Sequence, residues 1–192
     1  MRNSKKKNCK QRIFTKNEFF KMFKKDVEKE VNRGLVECQY EAVYILLDKF
    51  NFTPKRIDRF LNEIDNLMDK IIGDKSLSIK EYFSWVISHG FSYKITSVPD
   101  FHDKMTQGYI NRIVCAEKMN RKYIVYVFIY HVLRFNFRLT IKDLWRFKYE
   151  LENLSDSIDS KFISYSDIEK EILGKYNAMC FDRKTFKNTD LA

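Results

Sequence analysis

The sequence predicts an all-α protein: two tandem helical units forming a pseudo-two-fold bundle, preceded by a flexible basic arm. Three observations point there. Gly and Pro are scarce, five and two in 192 residues, which leaves little material for the turns of an all-β fold. Apolar residues recur at helical spacing along most of the chain. The chain also repeats itself. Phe50-Asn51-Phe52 is followed by Thr53, an amphipathic stretch to Ile72 and Ser78-Ile79-Lys80-Glu81. Phe135-Asn136-Phe137 is followed by Thr140, an amphipathic stretch to Ile158 and Ser164-Tyr165-Ser166-Asp167. The offset is 85 at the triplet, 87 through the long stretch and 86 at the Ser-x-x-Glu/Asp signal, a drift that two short loop changes produce.

The elements follow in order. Asn17 caps a helix in which Phe19, Phe20, Phe23, Val27 and Val31 share one face, and Gly34 is its stop. Tyr40, Val43, Tyr44, Leu47 and Phe50 define a second helical face that ends at Phe50, with Asn51 in a left-handed conformation. Thr53-Pro54 starts a long helix, because a capping hydroxyl precedes a proline whose missing N–H costs nothing there. Ile57, Phe60, Leu61, Ile64, Leu67, Met68 and Ile71 form its apolar stripe, and Gly73 ends it. Ser78-x-x-Glu81 is a capping box opening a short helix closed by His89-Gly90.

Residues 91–108 lack a sustained period and read as the inter-repeat connection. The order then recurs. A helix covers 109–117, and 123–135 matches the helix ending at Phe50. Its Ile-Val-Tyr-Val-Phe-Ile run alone would read as a strand, but the repeat overrides that propensity. Thr140-x-x-Asp143 opens the second long helix, and Ser164-x-x-Asp167 opens the last, which Gly174 ends. The expected organisation is an arm over 1–17, units over 18–90 and 109–174, the connection 91–108 between them, and a tail over 175–192.

The net charge of +10 is unevenly placed. Residues 1–33 hold 12 Lys/Arg against 4 Asp/Glu, whereas 34–174 hold 20 of each. Such a basic block stays solvated and suits phosphate neutralisation without sequence choice. Lys5, Lys6, Lys7, Lys10 and Arg12 are therefore candidate contacts to nucleic acid. A plain solubilising tail is the competing reading.

The most apolar segment, 123–133, is too short for a membrane span and contains His131, and no signal peptide is expected. Cys9, Cys38, Cys115 and Cys180 are far apart and read as reduced thiols of a cytosolic protein, here the host cytoplasm.

The segment Leu47-Asp48-Lys49-Phe50-Asn51-Phe52-Thr53-Pro54-Lys55-Arg56-Ile57-Asp58-Arg59-Phe60-Leu61-Asn62-Glu63 resembles a group of short phage and prophage proteins of Firmicutes type. These carry a segment close to H-D-K-F-G-F-G-K-K-R-L-x-R-F-L-x-E. Asp48, Lys49, Phe50, Phe52, Lys55, Arg56, Arg59, Phe60, Leu61 and Glu63 match, while Asn51 replaces Gly and Thr53-Pro54 replaces Gly-Lys. The resemblance covers about 45 residues and is weaker in the second copy. It implies a mobile-element origin and no particular chemistry.

Lys55, Arg56 and Arg59 lie in the first turns of the Pro54 helix, and Arg138, Lys142 and Arg146 stand near the matching place. Helix N-termini with added Lys/Arg suit phosphate, and two copies suit a duplex or an extended RNA. The competing reading is a solvated face, since Asp58, Asp65 and Asp69 neutralise the same helix. Phe50, Phe52, Phe135 and Phe137 read as core anchors beside tight turns, with base stacking as the alternative. Trp85 and Trp145 read as core or interface residues.

His89, His102 and His131 form no cluster, and neither a metal nor a cofactor is expected. The loop Asp100-Phe101-His102-Asp103 lacks a partner motif, and Gly-rich phosphate loops, HExxH and GxSxG are missing from the sequence. The expectation is a non-enzymatic binding protein that engages nucleic acid or a nucleoprotein complex. The alternative is an anti-defence, anti-CRISPR-like inhibitor that binds a host defence protein. The apolar inventory also leaves room for a homodimer.

Overall fold

The computed structural model describes residues 13–73, 79–91, 97–100 and 104–176. The described elements are β1 (Ile13–Thr15), α1 (Lys16–Phe50), α2 (Pro54–Gly73), α3 (Ile79–Ser88), β2 (Lys104–Thr106), α4 (Gln107–Phe135), α5 (Ile141–Asp159) and α6 (Tyr165–Tyr176). Helix dominates, as the composition requires.

Several boundaries differ from expectation for local reasons. Thr15, not Asn17, caps α1. Its hydroxyl accepts from the Glu18 N–H at 3.3 Å, and Glu18 accepts from the Thr15 N–H at 2.9 Å. Residues 13–17, assigned to the arm, thus belong to β1 and the start of α1. Within 91–108, residues 104–106 are β2 and α4 begins at Gln107. β1 and β2 pair antiparallel, with Phe14 opposite Met105. Both side chains are buried with Phe19, Ile110 and Ile113 in a small second core. The last helix continues past Gly174 to Tyr176.

Gly34 does not stop a helix. It lies inside α1, where a Cβ would stand 3.0 Å from Lys118 Cγ, so the missing side chain lets α4 approach. The seam between these helices advances in step along both. Lys118 Nζ is 2.8 Å from Glu37, Lys122 Nζ is 2.9 Å from Glu41, and the Tyr126 hydroxyl donates to Glu41. α1 and α4 therefore run parallel. The run 123–135 is helical throughout, in spite of its strand-like composition.

Glu41 is 1% exposed, and the Tyr165 hydroxyl of α6 also donates to it. Burial pushes the Cys38 thiol up to about 12 and raises the Tyr126 and Tyr165 phenols. Burial opposes the charge of Lys122, yet Glu41 holds its pKa above the ordinary value.

The remaining helices pack crosswise. α2 and α3 lie chiefly on α4, while α5 and α6 lie chiefly on α1. Packing thus runs across the chain-order division into 18–90 and 109–174. One continuous core includes Leu46, Ile57, Phe60, Val86, Ile129, Tyr130, Leu144, Phe147 and Ile172. Apolar stripes at 3.6-residue spacing on α2 and α5 supply much of it.

Candidate nucleic-acid interface

The two helix-to-helix turns decide where the cationic side chains go. After α1, Asn51 is left-handed with φ 52°, and the Phe52 N–H donates to the Leu46 carbonyl at 2.9 Å. After α4, the left-handed residue is Arg138, with φ 57°, and the Leu139 N–H donates to the Leu133 carbonyl at 3.0 Å. Asn136 itself is right-handed, with φ −91°. The two closures therefore correspond at an offset of 87, not at the 85 of the Phe-Asn-Phe triplet. Thr53 and Thr140 then cap α2 and α5. At Thr140, hydrogen bonds from its hydroxyl and N–H hold the Asp143 carboxyl below the usual range.

Contacts across the two turns keep the same offset. Arg59 Nη2 donates to the Asn136 carbonyl at 3.5 Å, and Arg146 Nη2 donates to the Lys49 carbonyl at 3.0 Å. The Arg59 guanidinium lies 5.2 Å from the centroid of Phe137, and that of Arg146 lies 5.1 Å from Phe50. Phe60–Phe137 and Phe50–Phe147 are both 6.1 Å apart.

The surroundings of these paired contacts differ. Beside Arg59 lies an open depression of about 560 Å³, lined by Arg56, Arg59, Phe135, Asn136, Phe137 and Arg138. The positions 87 residues away from Arg56, Arg138 and Phe135 are Asp143, Asn51 and Asp48. Arg56, Arg138 and Phe135 thus have no like residues on the other side, where Arg146, Lys142 and Lys49 stand with Asp48 and Asp143. Arg56 stacks at 3.9 Å over the buried Phe52. Arg59 meets Glu63 only at 3.8 Å, and Glu63 also accepts from Asn136 Nδ2 at 2.6 Å.

Three of the basic residues singled out in the sequence, Arg56, Arg59 and Arg138, therefore meet at one depression. Lys55 is exposed on the first turn of α2 but does not line it, and Lys142 and Arg146 belong to the other side. Lys5, Lys6, Lys7, Lys10 and Arg12 lie outside the described residues. Of the aromatics, Phe52 is a core anchor, Phe50 and Phe137 are half-buried, and Phe135 is 52% exposed. Trp145 is 45% exposed, so it is not simply a core residue. Phe135 reads from sequence as a core anchor with base stacking as the alternative, and its exposure departs from the core reading; the contribution of Asn136 was not apparent from sequence, since only the turn geometry brings it to the arginines.

A second depression, about 330 Å³, shares Asn136 with the first and is also lined by Glu63, Asn66, Leu67, Lys70, Tyr82, His131 and Val132. Burial lowers the pKa of His131, and its buried Nδ1 has no hydrogen-bond partner among the described residues.

Among the described residues, no group of His, Cys, Asp and Glu is arranged to hold a metal, and no helix is long and apolar enough to cross a membrane. Cys38 is buried and Cys115 exposed, both as free thiols. His102 and most of its loop lie outside the described residues, as do Cys9, Cys180 and Ser78. The depression offers guanidinium donors and aromatic faces, a set suited to holding an anionic, ring-bearing ligand. Compared with protein-family models, curated proteins and solved structures, the chain gives no match.

Proposed function

We propose that this chain is a binding protein of mobile-element origin that engages nucleic acid, in the host cytoplasm, without catalysing a reaction. The observation that carries this reading is the convergence of Arg56, Arg59 and Arg138 on one depression, drawn from two distant parts of the chain. Guanidinium groups take phosphate through paired N–H donors, and clustering them raises the local potential. The backbone of Arg138 adds support. A left-handed non-glycine residue costs on the order of 1 kcal/mol, which a site can justify where a turn alone would favour Gly or Asn. The basic segment ahead of Ile13 supplies further phosphate contacts in this reading.

The constant offset of 87 in the turn closures and arginine contacts supports descent from a duplicated unit with pseudo-two-fold equivalence. In that history the two equivalent faces diverged, Asp143 and Asn51 standing where the other has Arg56 and Arg138.

The test is fluorescence anisotropy with labelled nucleic acid across a salt series, comparing wild type with Arg56→Glu/Arg138→Glu. Binding should weaken at least tenfold, and its salt slope should fall by roughly 2, because each arginine neutralises one phosphate. Equal binding by a folded variant would sink the reading.

A second reading has its own observation. Trp145 and Tyr149 on α5 are 45% and 61% exposed, and Phe162 after it is 89% exposed. That apolar face suits an inhibitor which binds a host defence protein. Trp145→Ala/Tyr149→Ala that still inhibits a candidate defence enzyme as strongly as wild type would exclude it.

A further inference from the structure

We infer that the arginine depression takes a single unpaired nucleic-acid strand, one nucleotide seated with its base against Phe135; this rests on the nucleic-acid reading above. Phe135 lines the depression and is 52% exposed, although it is an apolar ring at the end of a core helix. Two rings pack against it, with Trp85 at 5.5 Å and His131 at 4.4 Å between ring centroids. A supported, solvent-facing ring beside three guanidinium groups is a stacking platform for a base whose phosphate the arginines hold. In a duplex the base faces are covered by their neighbours, so Phe135 would contribute nothing to duplex binding.

The neighbouring depression fits the same occupant. It adjoins the first at Asn136 and presents amide, carboxylate, ammonium and imidazole groups from Asn66, Glu63, Lys70 and His131. These are hydrogen-bonding partners for the edge of an unpaired base. The Nδ1 of His131 is itself buried and has no hydrogen-bond partner among the described residues.

The charge distribution argues the same way. A duplex presents two phosphate backbones and would favour two equivalent cationic faces. Here the positions corresponding to Arg56, Arg138 and Phe135 carry Asp143, Asn51 and Asp48. The other face keeps Arg146, Lys142 and Lys49 but sets Asp143 and Asp48 among them, so the two faces are unequal, and the one without those carboxylates is the face with the exposed ring.

The test uses the full chain and anisotropy at fixed salt with three labelled probes of one mixed sequence: a 12-nucleotide DNA strand, the same RNA strand, and the DNA duplex. Each single strand should bind at least tenfold more tightly than the duplex, and the ratio between the two strands reports which sugar is preferred. Phe135→Ala should lose at least fivefold on the strands with duplex binding unchanged, and Phe135→Trp should restore strand binding. Circular dichroism confirms that both variants fold. Equal affinity for strand and duplex, or an inert Phe135→Ala, overturns the single-strand inference while leaving the arginine reading intact. Binding of none of the three probes overturns both.

Discussion

Lys122 and Glu41 form a buried ion pair across the seam of two parallel helices, with Nζ 2.9 Å from the carboxylate and side chains only 13% and 2% exposed. Two tyrosine hydroxyls, from Tyr126 and Tyr165, complete the shell around the carboxylate. Buried charges of this kind are tolerated only when every partner is present. Lys122→Met should therefore destabilise the protein by about 3–5 kcal/mol, because it strands the Glu41 charge. Glu41→Gln in the same background should recover much of that loss. Urea denaturation of the single and double variants measures both, and a Lys122→Met loss under 1 kcal/mol would show that water reaches the pair.

The same seam predicts sensitivity to alkali. The folded-state pKa of Cys38 is raised, to about 12, and those of Tyr126 and Tyr165 are raised above the ordinary value of 10.0. Each such group contributes stability that is fully present below its unfolded-state pKa. That stability is lost as pH rises beyond it toward the folded value, because only the unfolded chain releases the proton. Thermal midpoints should fall progressively from about pH 9 upward. Replacing Cys38 by Ala should make the decline shallower. A midpoint that stays constant to pH 11 would contradict the burial of these groups.

Arg138→Asn separates stability from binding. Asn stands at the corresponding left-handed position, Asn51, and tolerates that conformation better than Arg. The variant should be as stable as wild type or more stable by up to about 1 kcal/mol. It should nevertheless bind nucleic acid several-fold more weakly. Denaturation midpoints and anisotropy on one preparation decide the matter, and a clear loss of stability would mean that the arginine side chain holds the turn together.

Gly90 has the opposite tolerance. Its φ is +77°, and a Cβ there would stand 2.9 Å from Trp145 Cζ2. Gly90→Ala should lose roughly 1–3 kcal/mol from backbone strain and displaced packing. It should also change the tryptophan emission as the Trp145 ring shifts. Unchanged emission and stability would mean that the α3-to-loop turn is not held as described.

The crosswise packing of α2 and α3 on α4, and of α5 and α6 on α1, predicts that neither half folds alone. Fragments 13–91 and 97–176 should each lack cooperative unfolding, yet recover helicity and a cooperative transition when mixed. A cooperative monomeric transition for either fragment by itself would argue against that arrangement.

Local signals read well from sequence where the residue itself does the work. Thr53-Pro54, Thr140-x-x-Asp143, Ser164-x-x-Asp167 and the left-handed Asn51 all mark what they were expected to mark. Gly34 misled, because a glycine that admits a neighbouring helix looks in sequence like one that ends its own. The Phe-Asn-Phe triplet misled in a similar way. Its second copy begins before the turn, and the left-handed duty falls on Arg138 two residues after Asn136. Arg56 and Arg59 were identifiable as candidates from their place on α2. That Arg138 and Phe135 would join them, and Lys142 and Arg146 would not, depends on long-range packing that no local spacing encodes.

The crossed arrangement of helices also shapes synthesis. The apolar stripe of α2 meets α1 but lacks its larger surface until α4 has emerged from the ribosome. At about 5–20 residues per second the wait is on the order of 3–10 s. For that interval the nascent chain carries a partly uncovered greasy face, so its yield in a cell should depend on holdase chaperones more than a bundle of this size with sequential packing would require.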